Sequence, residues 1–454
     1  MSQVFDASQI ALATGGTVVR DGHAGAVCTD TRMLQPGDWF VALVGERFDG
    51  HRFLSAAREA GAAGVVVERE VDSDWKGGIV RVADTLRALQ DLARAARARC
   101  VGPVVGITGS SGKTTTRALT ALALSPLGCV HQTGANLNNH IGVPLTLLGG
   151  RADAAASVVE MGTSAPGEIA TLADIGSPDI RVITNVGPAH LEELGGLEGV
   201  AVEKGALFAS ARPGDVCCIN IDDQRVVGLS LPEGARRVTW GEAAEAQIRL
   251  VQSRVLAASL STACVFDTPS GRIEVEVPAP GHHIAVDAAA ALAVALAAGV
   301  DLHRAAAALV AYKPVGMRLR AENLAGGALA LNDAYNANPD SVAASVSLLA
   351  GLDGHRIAVL GDMLELGVDE AEWHARTVAH ADTAGLDGLI LVGRRMTAAA
   401  GVVSRTPCAA FEDPEDAVEA LRRRLRPNSR VLFKGSRGTR VERILHKLLP
   451  TEDV

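Results

Sequence analysis

The chain has 454 residues, 48% of them hydrophobic and 21% charged, with a formal charge of −9. That length calls for about three domains, and the acidic balance excludes broad contact with nucleic acid or a membrane surface, both of which need a basic face. Aromatic residues are only 3% of the chain, so the cores are predicted to be built from Ala, Val, Leu and Ile.

Residues 1–82 read as a small α/β module. The apolar runs Asp38-Trp-Phe-Val-Ala-Leu-Val44 and Gly64-Val-Val-Val-Glu68 flank a stretch of helical spacing over 53–61. Met1-Ser-Gln-Val-Phe-Asp6 has neither a basic nor an apolar leader region, so no export signal is expected. Residues 83–312 then alternate strands and helices as in a doubly wound parallel sheet. They begin with an arginine-rich amphipathic helix over 85–99. The strands Ser157-Val-Val-Glu160 and Ile180-Arg-Val-Ile-Thr184 each run into a glycine-containing loop, and a β-rich insert follows over 236–278. An alanine-rich helix is predicted over 284–298; the run 288–300 is too short to span a bilayer. Cys217 and Cys218, adjacent in Val216-Cys-Cys-Ile219, read as buried strand thiols in a reducing cytoplasm, because the seven cysteines include no C-x-x-C pair. After Tyr312-Lys-Pro-Val-Gly316, residues 313–454 carry a second α/β run. Its strands are Ala328-Leu-Ala-Leu331, Arg356-Ile-Ala-Val-Leu360, Gly388-Leu-Ile-Leu-Val392 and Arg430-Val-Leu-Phe433, a Rossmann-like set.

The chemistry concentrates in the middle segment. In Val104-Val-Gly-Ile-Thr-Gly-Ser-Ser-Gly-Lys-Thr-Thr-Thr116 an apolar strand enters a glycine-rich turn and then a helix, which offers free backbone N–H groups and Lys113 to a triphosphate. Gly109 and Gly112 are separated by two residues rather than the four of the usual phosphate loop. Lys113 is predicted to reach the β/γ-phosphates, and Thr114 or Thr115 to offer a hydroxyl to Mg²⁺. Glu160, ending a strand beside such a loop, suits a magnesium ligand. His190, in Asn185-Val-Gly-Pro-Ala-His190, stands at another strand end and is expected in the site. The amides of Asn136, Asn138 and Asn139 crowd one loop and suit a polar substrate or a phosphate; a plain turn is the alternative. Lys204, judged by its surroundings alone, is a solvated helix lysine.

In order along the chain, Thr108-Gly-Ser-Ser-Gly-Lys-Thr-Thr115, Asn136-Leu-Asn-Asn-His-Ile-Gly-Val-Pro144, Glu160-Met-Gly162 and Thr184-Asn-Val-Gly-Pro-Ala-His190 resemble the Mur ligases, ATP-dependent enzymes that extend the peptidoglycan stem peptide. Thr29-Asp-Thr-Arg32, Pro36-Gly-Asp38 and Phe48-Asp-Gly-His51 resemble the UDP-sugar-binding start of that family. Asp333-Ala-Tyr-Asn-Ala-Asn-Pro339 with Ser341, and Leu360-Gly-Asp-Met-Leu-Glu-Leu-Gly367, look like the branch that joins D-alanyl-D-alanine to UDP-N-acetylmuramoyl-tripeptide.

The resemblance implies a cytoplasmic monomer with a UDP-sugar domain over 1–82, an ATP domain over 83–312 and a dipeptide domain over 313–454. It implies ATP contacts from Thr108, Gly109, Ser110, Ser111, Gly112, Lys113, Thr114, Thr115, Asn138, His283, Arg318, Asp333 and Asn336. Two Mg²⁺ ions would be held by Thr114, Glu160, His190 and Lys204, the last as a carbamate. Catalysis would fall to Lys113, Lys204, His190 and Arg318, and substrate binding to Thr31, Arg32, Asp49, His51, Asn139, Asn338, Lys434, Ser436 and Arg437. The chain departs from the family at Gly281-His-His-Ile-Ala-Val-Asp287, where His283 and Asp287 occupy the places of two asparagines. The alternatives are another Mur-type or folylpolyglutamate-synthase-like amide ligase and, from a different class, a regulatory NTPase.

Overall fold

The computed structural model describes residues 2–46, 48–72 and 74–450. Three main sheets succeed one another along the chain. The first has the order Thr17–Arg20, Gly78–Arg81, Gly64–Val67, Trp39–Val41, Val27–Cys28, parallel except for its antiparallel first strand. Helix Thr85–Ala98, started by the Asp84 carboxylate accepting from the Arg87 N–H, buries Leu89, Leu92, Ala93 and Ala96. That apolar stripe is what its helical spacing predicts.

The second sheet has nine strands, with Val104–Thr108 flanked by Ala156–Glu160 on one side and Ile180–Ile183 on the other. The winding reverses at Val104–Thr108, which opens a crevice at the carboxyl ends of these strands. The β-rich insert is not a separate unit. Arg236–Gly241 continues the parallel sheet, and Ile248–Leu256, Ser261–Thr268 and Gly271–Val277 extend the same sheet as an antiparallel meander. The sheet is therefore mixed rather than purely parallel.

The alanine-rich helix, His282–Ala297, packs on helix Lys113–Leu124, and Ala288 to Ala291 are completely buried. Side chains that stop at Cβ let the two helices approach closely. Burial also surrounds Cys217, whose thiol it pushes up to about 11; all seven cysteines are free.

The third sheet runs Arg320–Asn323, Leu329–Asp333, Ser429–Lys434, His355–Gly361, Gly388–Val392, Cys408–Phe411, with only the first strand antiparallel. Register places Asp333 directly beside Lys434 at the carboxyl ends of neighbouring strands. Helix Pro339–Ala350 starts just beyond, where Asn338 and Ser341 form a capping box. Among the described residues no helix is long and apolar enough to cross a membrane.

Candidate active site

The glycine loop between Val104–Thr108 and Lys113–Leu124 is shaped by what surrounds it. Gly109 has φ 152°, and a Cβ there would lie 1.8 Å from the Thr184 hydroxyl. Gly112 has φ 79°, and a Cβ would lie 2.6 Å from Asp287 Oδ1. Neither position accepts a side chain. The next strand end fastens the loop from the side. Asn185 Oδ1 accepts from the Ser111 N–H at 3.0 Å, the Asn185 carbonyl accepts from the Ser110 N–H at 3.0 Å, and Thr184 Oγ1 donates to the Ser111 carbonyl at 2.6 Å. Ser110 Oγ donates to the Gly187 carbonyl and accepts from its N–H, both at 2.9 Å. Lys113 Nζ folds back onto the Gly109 carbonyl at 2.7 Å. Burial lowers the pKa of this ammonium, with Glu160 opposing the shift and Arg318 adding to it.

Glu160 is only 3% exposed and is gripped on both oxygens. Thr114 Oγ1 donates to Oε2 at 2.9 Å, Asn138 Nδ2 donates to Oε1 at 2.9 Å, and Arg117 Nε lies 3.5 Å from Oε2. Of the two threonines named from sequence, Thr114 thus faces the carboxylate. Arg117 was not anticipated, although it lies one helical turn beyond Lys113 and so on the same face. Among the described residues no three His, Cys, Asp or Glu side chains converge on one point. One carboxylate and one hydroxyl beside a phosphate loop nonetheless fit Mg²⁺, which takes few protein ligands and completes its shell with phosphate oxygens and water.

Lys204 overturns the reading drawn from its surroundings. It is 1% exposed in helix Leu197–Ala209, and burial, reinforced by Lys113, holds its pKa well below the ordinary lysine value. Helix packing, invisible in the local sequence, removed it from solvent. His190 follows the Gly-Pro turn with φ 57°, and its Nδ1 lies 2.5 Å from Oε2 of Glu365, on the loop after strand His355–Gly361.

The C-terminal sheet closes the other wall. Lys434 Nζ lies 2.6 Å from Asp333 Oδ2, which also accepts from Ser345 Oγ at 2.8 Å. The Arg318 guanidinium stacks 3.9 Å over the Tyr335 ring. A cavity of about 560 Å³ between the walls is lined by Ser110–Thr115, Asn138, Asn139, Glu160, His190, His283, Asp287, Arg318, Asp333, Asn336, Asn338 and Lys434. A second, of about 660 Å³, shares His190, Arg318, Tyr335, Asn336 and Asn338 and continues to Glu365, Ser436 and Arg437. Thr108, Gly109 and Lys204 line neither cavity.

The departing pair stands in the same wall, Asp287 buried and His283 half-buried. Burial lowers His283 to about 4, leaving a neutral ring, and raises Asp287 to about 8. Thr116 Oγ1 donates to Asp287 Oδ1 at 2.9 Å. A protonated carboxyl presents a donor on one atom and an acceptor on the other, as an asparagine amide does, though with one N–H fewer to give.

Thr31, Arg32, Asp49 and His51 line neither cavity. Arg32 is exposed and paired with Asp30, whereas His51 uses both ring nitrogens inside its own module. Its Nδ1 is 2.8 Å from Asp49 Oδ1, and its Nε2 accepts from the Glu68 N–H at 3.1 Å. The ring therefore braces the loop and has no free nitrogen to offer. Asn139 Oδ1 likewise accepts from the Gly142 N–H, and Asn338 Oδ1 from the Ser341 N–H.

Three family descriptions match in succession: "Mur ligase family, catalytic domain" over residues 23–97, "Mur ligase middle domain" over 107–295 and "Mur ligase, glutamate ligase domain" over 317–437. The UDP-N-acetylmuramoyl-tripeptide–D-alanyl-D-alanine ligase of Escherichia coli K12 is 36% identical, covering 93% of each chain. The crystal structure of MurF from Acinetobacter baumannii superimposes with a TM-score of 0.90 at 31% identity, covering 98% of this chain and 99% of that one. MurF from Thermotoga maritima, solved with ADP, gives 0.82 at 29% identity over 93% and 96%. Sequence and overall fold agree with these relatives over nearly the whole chain, and the chain belongs to the Mur ligase family.

Proposed function

We propose that this chain is an ATP-dependent ligase joining D-alanyl-D-alanine to UDP-N-acetylmuramoyl-tripeptide, giving the pentapeptide precursor of peptidoglycan. One observation carries the reading. A phosphate loop with a carboxylate–hydroxyl pair faces, across two adjoining cavities that share lining residues, the Asp333–Asn338 and Ser436–Arg437 segments of another domain. A nucleotide therefore has an acceptor chamber beside it, which a regulatory NTPase does not need.

In the proposed reaction the tripeptide carboxylate attacks the γ-phosphorus of ATP, ADP leaves, and an acyl phosphate forms. The dipeptide amine attacks its carbonyl, phosphate departs, and the amine proton is released. Both first partners are anions, so Lys113 and Arg318 lower their repulsion and stabilise charge on the transferring phosphoryl group. Thr114 and Glu160 would hold Mg²⁺, which supplies further neutralisation of phosphate oxygens when bound. His190 and a carbamylated Lys204 are assigned to a second ion. A buried lysine with a lowered pKa presents a free amine, which adds CO₂ and loses a proton to become a carboxylate. Residues 83–312 are assigned to ATP and 313–454 to the dipeptide; 1–82, with Thr31 and Arg32, take the UDP-sugar.

Phosphate release from ATP and Mg²⁺ is expected to require both UDP-N-acetylmuramoyl-tripeptide and D-alanyl-D-alanine, with the pentapeptide detected by mass. Release without the dipeptide, or equal stimulation by single amino acids, rejects the assignment.

A further inference from the structure

We propose that Glu365 is a positioning residue that reaches across from the C-terminal domain and aims His190, so that the histidine presents its second ring nitrogen to the cleft only when the two domains are docked. The inference rests on the reading of His190 as a metal ligand.

Several independent contacts meet at this point. His190 Nδ1 lies 2.5 Å from Glu365 Oε2, and the Glu192 N–H donates to the Glu365 carbonyl at 3.3 Å. A Cβ on Gly367 would stand 3.3 Å from Glu192 Cα, so the 365–367 turn sits directly on the chain that follows His190. Both members of the pair hold left-handed backbone, φ 57° at His190 and 64° at Glu365, a conformation that non-glycine residues keep only where surrounding contacts enforce it. Glu365 Oε2 stands 2.5 Å from Nδ1, off the line of a hydrogen bond, and its negative charge favours the proton on that nitrogen, which leaves Nε2 with its lone pair. That is the tautomer a metal-ligating histidine needs, and the outer carboxylate fixes the ring plane as well.

The same loop is tied to the nucleotide loop at its other end. Ser110 exchanges two hydrogen bonds with Gly187, and Asn185 holds the N–H groups of Ser110 and Ser111. A single segment, 184–190, thus touches the triphosphate loop with its first half and Glu365 with its last residue. Displacing the C-terminal domain removes the carboxylate and frees the imidazole to turn, so the second ion's site is assembled by docking rather than permanently present.

The test titrates the full-length protein with Mn²⁺, followed by electron paramagnetic resonance, in the presence of the non-hydrolysable nucleotide adenosine 5′-(β,γ-methylene)triphosphate. Glu365→Gln and Glu365→Ala are each expected to weaken the second of two Mn²⁺ sites by about 10- to 100-fold while leaving the first unchanged. The Glu365 side chain is 46% exposed, so neither change empties a core, and unaltered circular dichroism verifies folding. His190→Ala separates the two levels of the argument. If it abolishes the second site while both Glu365 variants bind two ions at wild-type affinity, Glu365 does not position the ring and the inference falls, with the ligand assignment intact. If His190→Ala itself leaves two ions bound as tightly as before, the ligand assignment fails and the inference fails with it.

Discussion

Replacing Asp287 by Asn isolates a carboxyl that is buried against the phosphate loop and raised in pKa by that burial. In the native chain Asp287 is 6% exposed, accepts from Thr116 Oγ1 at 2.9 Å and has its pKa raised by burial from 3.8 to about 8. Between those values the unfolded chain has released the proton while the folded chain keeps it. The folded state then binds more protons, so its stability declines as pH rises through that window and levels off above about 8. Each pH unit is worth about 1.4 kcal/mol, or about 3 kcal/mol between pH 5 and 7.5. Asparagine has the same shape, keeps an acceptor for Thr116 and does not titrate. Urea unfolding of both proteins across this range is therefore expected to show the Asp287→Asn variant gaining on the native protein by that amount. A stability difference constant from pH 5 to 7.5 refutes the argument, because it means that Asp287 is already ionised in the folded protein. The same titration bears on binding: ionisation sets a negative charge beside Gly112, so ATP affinity should fall above pH 8 in the native protein and hold in the variant.

Lys204→Ala is expected to abolish ligation and to be partly rescued by short carboxylic acids, measured by pentapeptide formation; undiminished activity removes the carbamate. Glu160→Ala should raise the Mg²⁺ concentration for half-maximal turnover by about tenfold or more, and an unchanged titration makes Glu160 a loop cap only. Lys434→Met strands the Asp333 carboxylate, which is 12% exposed and otherwise 2.6 Å from that ammonium. Breaking such a pair from one side costs about 3 kcal/mol, so the melting temperature should drop by several degrees and largely recover when Asp333→Asn is added.

What could be read in the sequence divides along physical lines. The placement of the phosphate loop, Glu160 and His190 at the cleft was legible because each ends or follows an apolar strand, and the carboxyl edge of a parallel sheet is where ligands bind. Strands such as Ala156–Glu160 and Gly388–Val392, buried along their whole length, announced themselves as mainly apolar runs. The edge strands did not: Thr17–Arg20 is exposed along its whole length and Arg320–Asn323 is mostly exposed, so neither has an apolar face to reveal it. Helix Ala7–Thr14 went unpredicted although Asp6 and Gln9 form a capping box at its start. Lys204 and Arg117 were hidden for a different reason. Their helices are amphipathic or apolar in pattern, and only the packing of one helix on its neighbours decides that a cation there is buried. Glu365 lay in plain view within Leu360-Gly-Asp-Met-Leu-Glu-Leu-Gly367, but its partner is 175 residues earlier, and nothing local reports a contact across domains.

The two cavities give the proposed chemistry its order. They meet along a wall made by His190, Arg318, Tyr335, Asn336 and Asn338. In a reaction that moves a phosphoryl group out of one chamber and admits an amine from the other, the reacting carbonyl must sit at that wall. Arg318 is the cation on it, and its guanidinium is already ordered by the Tyr335 face. Lys113 is not so prepared: its ammonium is held by carbonyls of its own loop. A triphosphate has to draw Lys113 off those carbonyls, exchanging neutral acceptors for charged ones, which makes a stronger set of hydrogen bonds. In the proposed reaction the nucleotide would thus arm the lysine, and the arginine would meet the acyl group. In the proposed order the carboxylate then arrives where Arg318 can meet the charge that develops as it reacts.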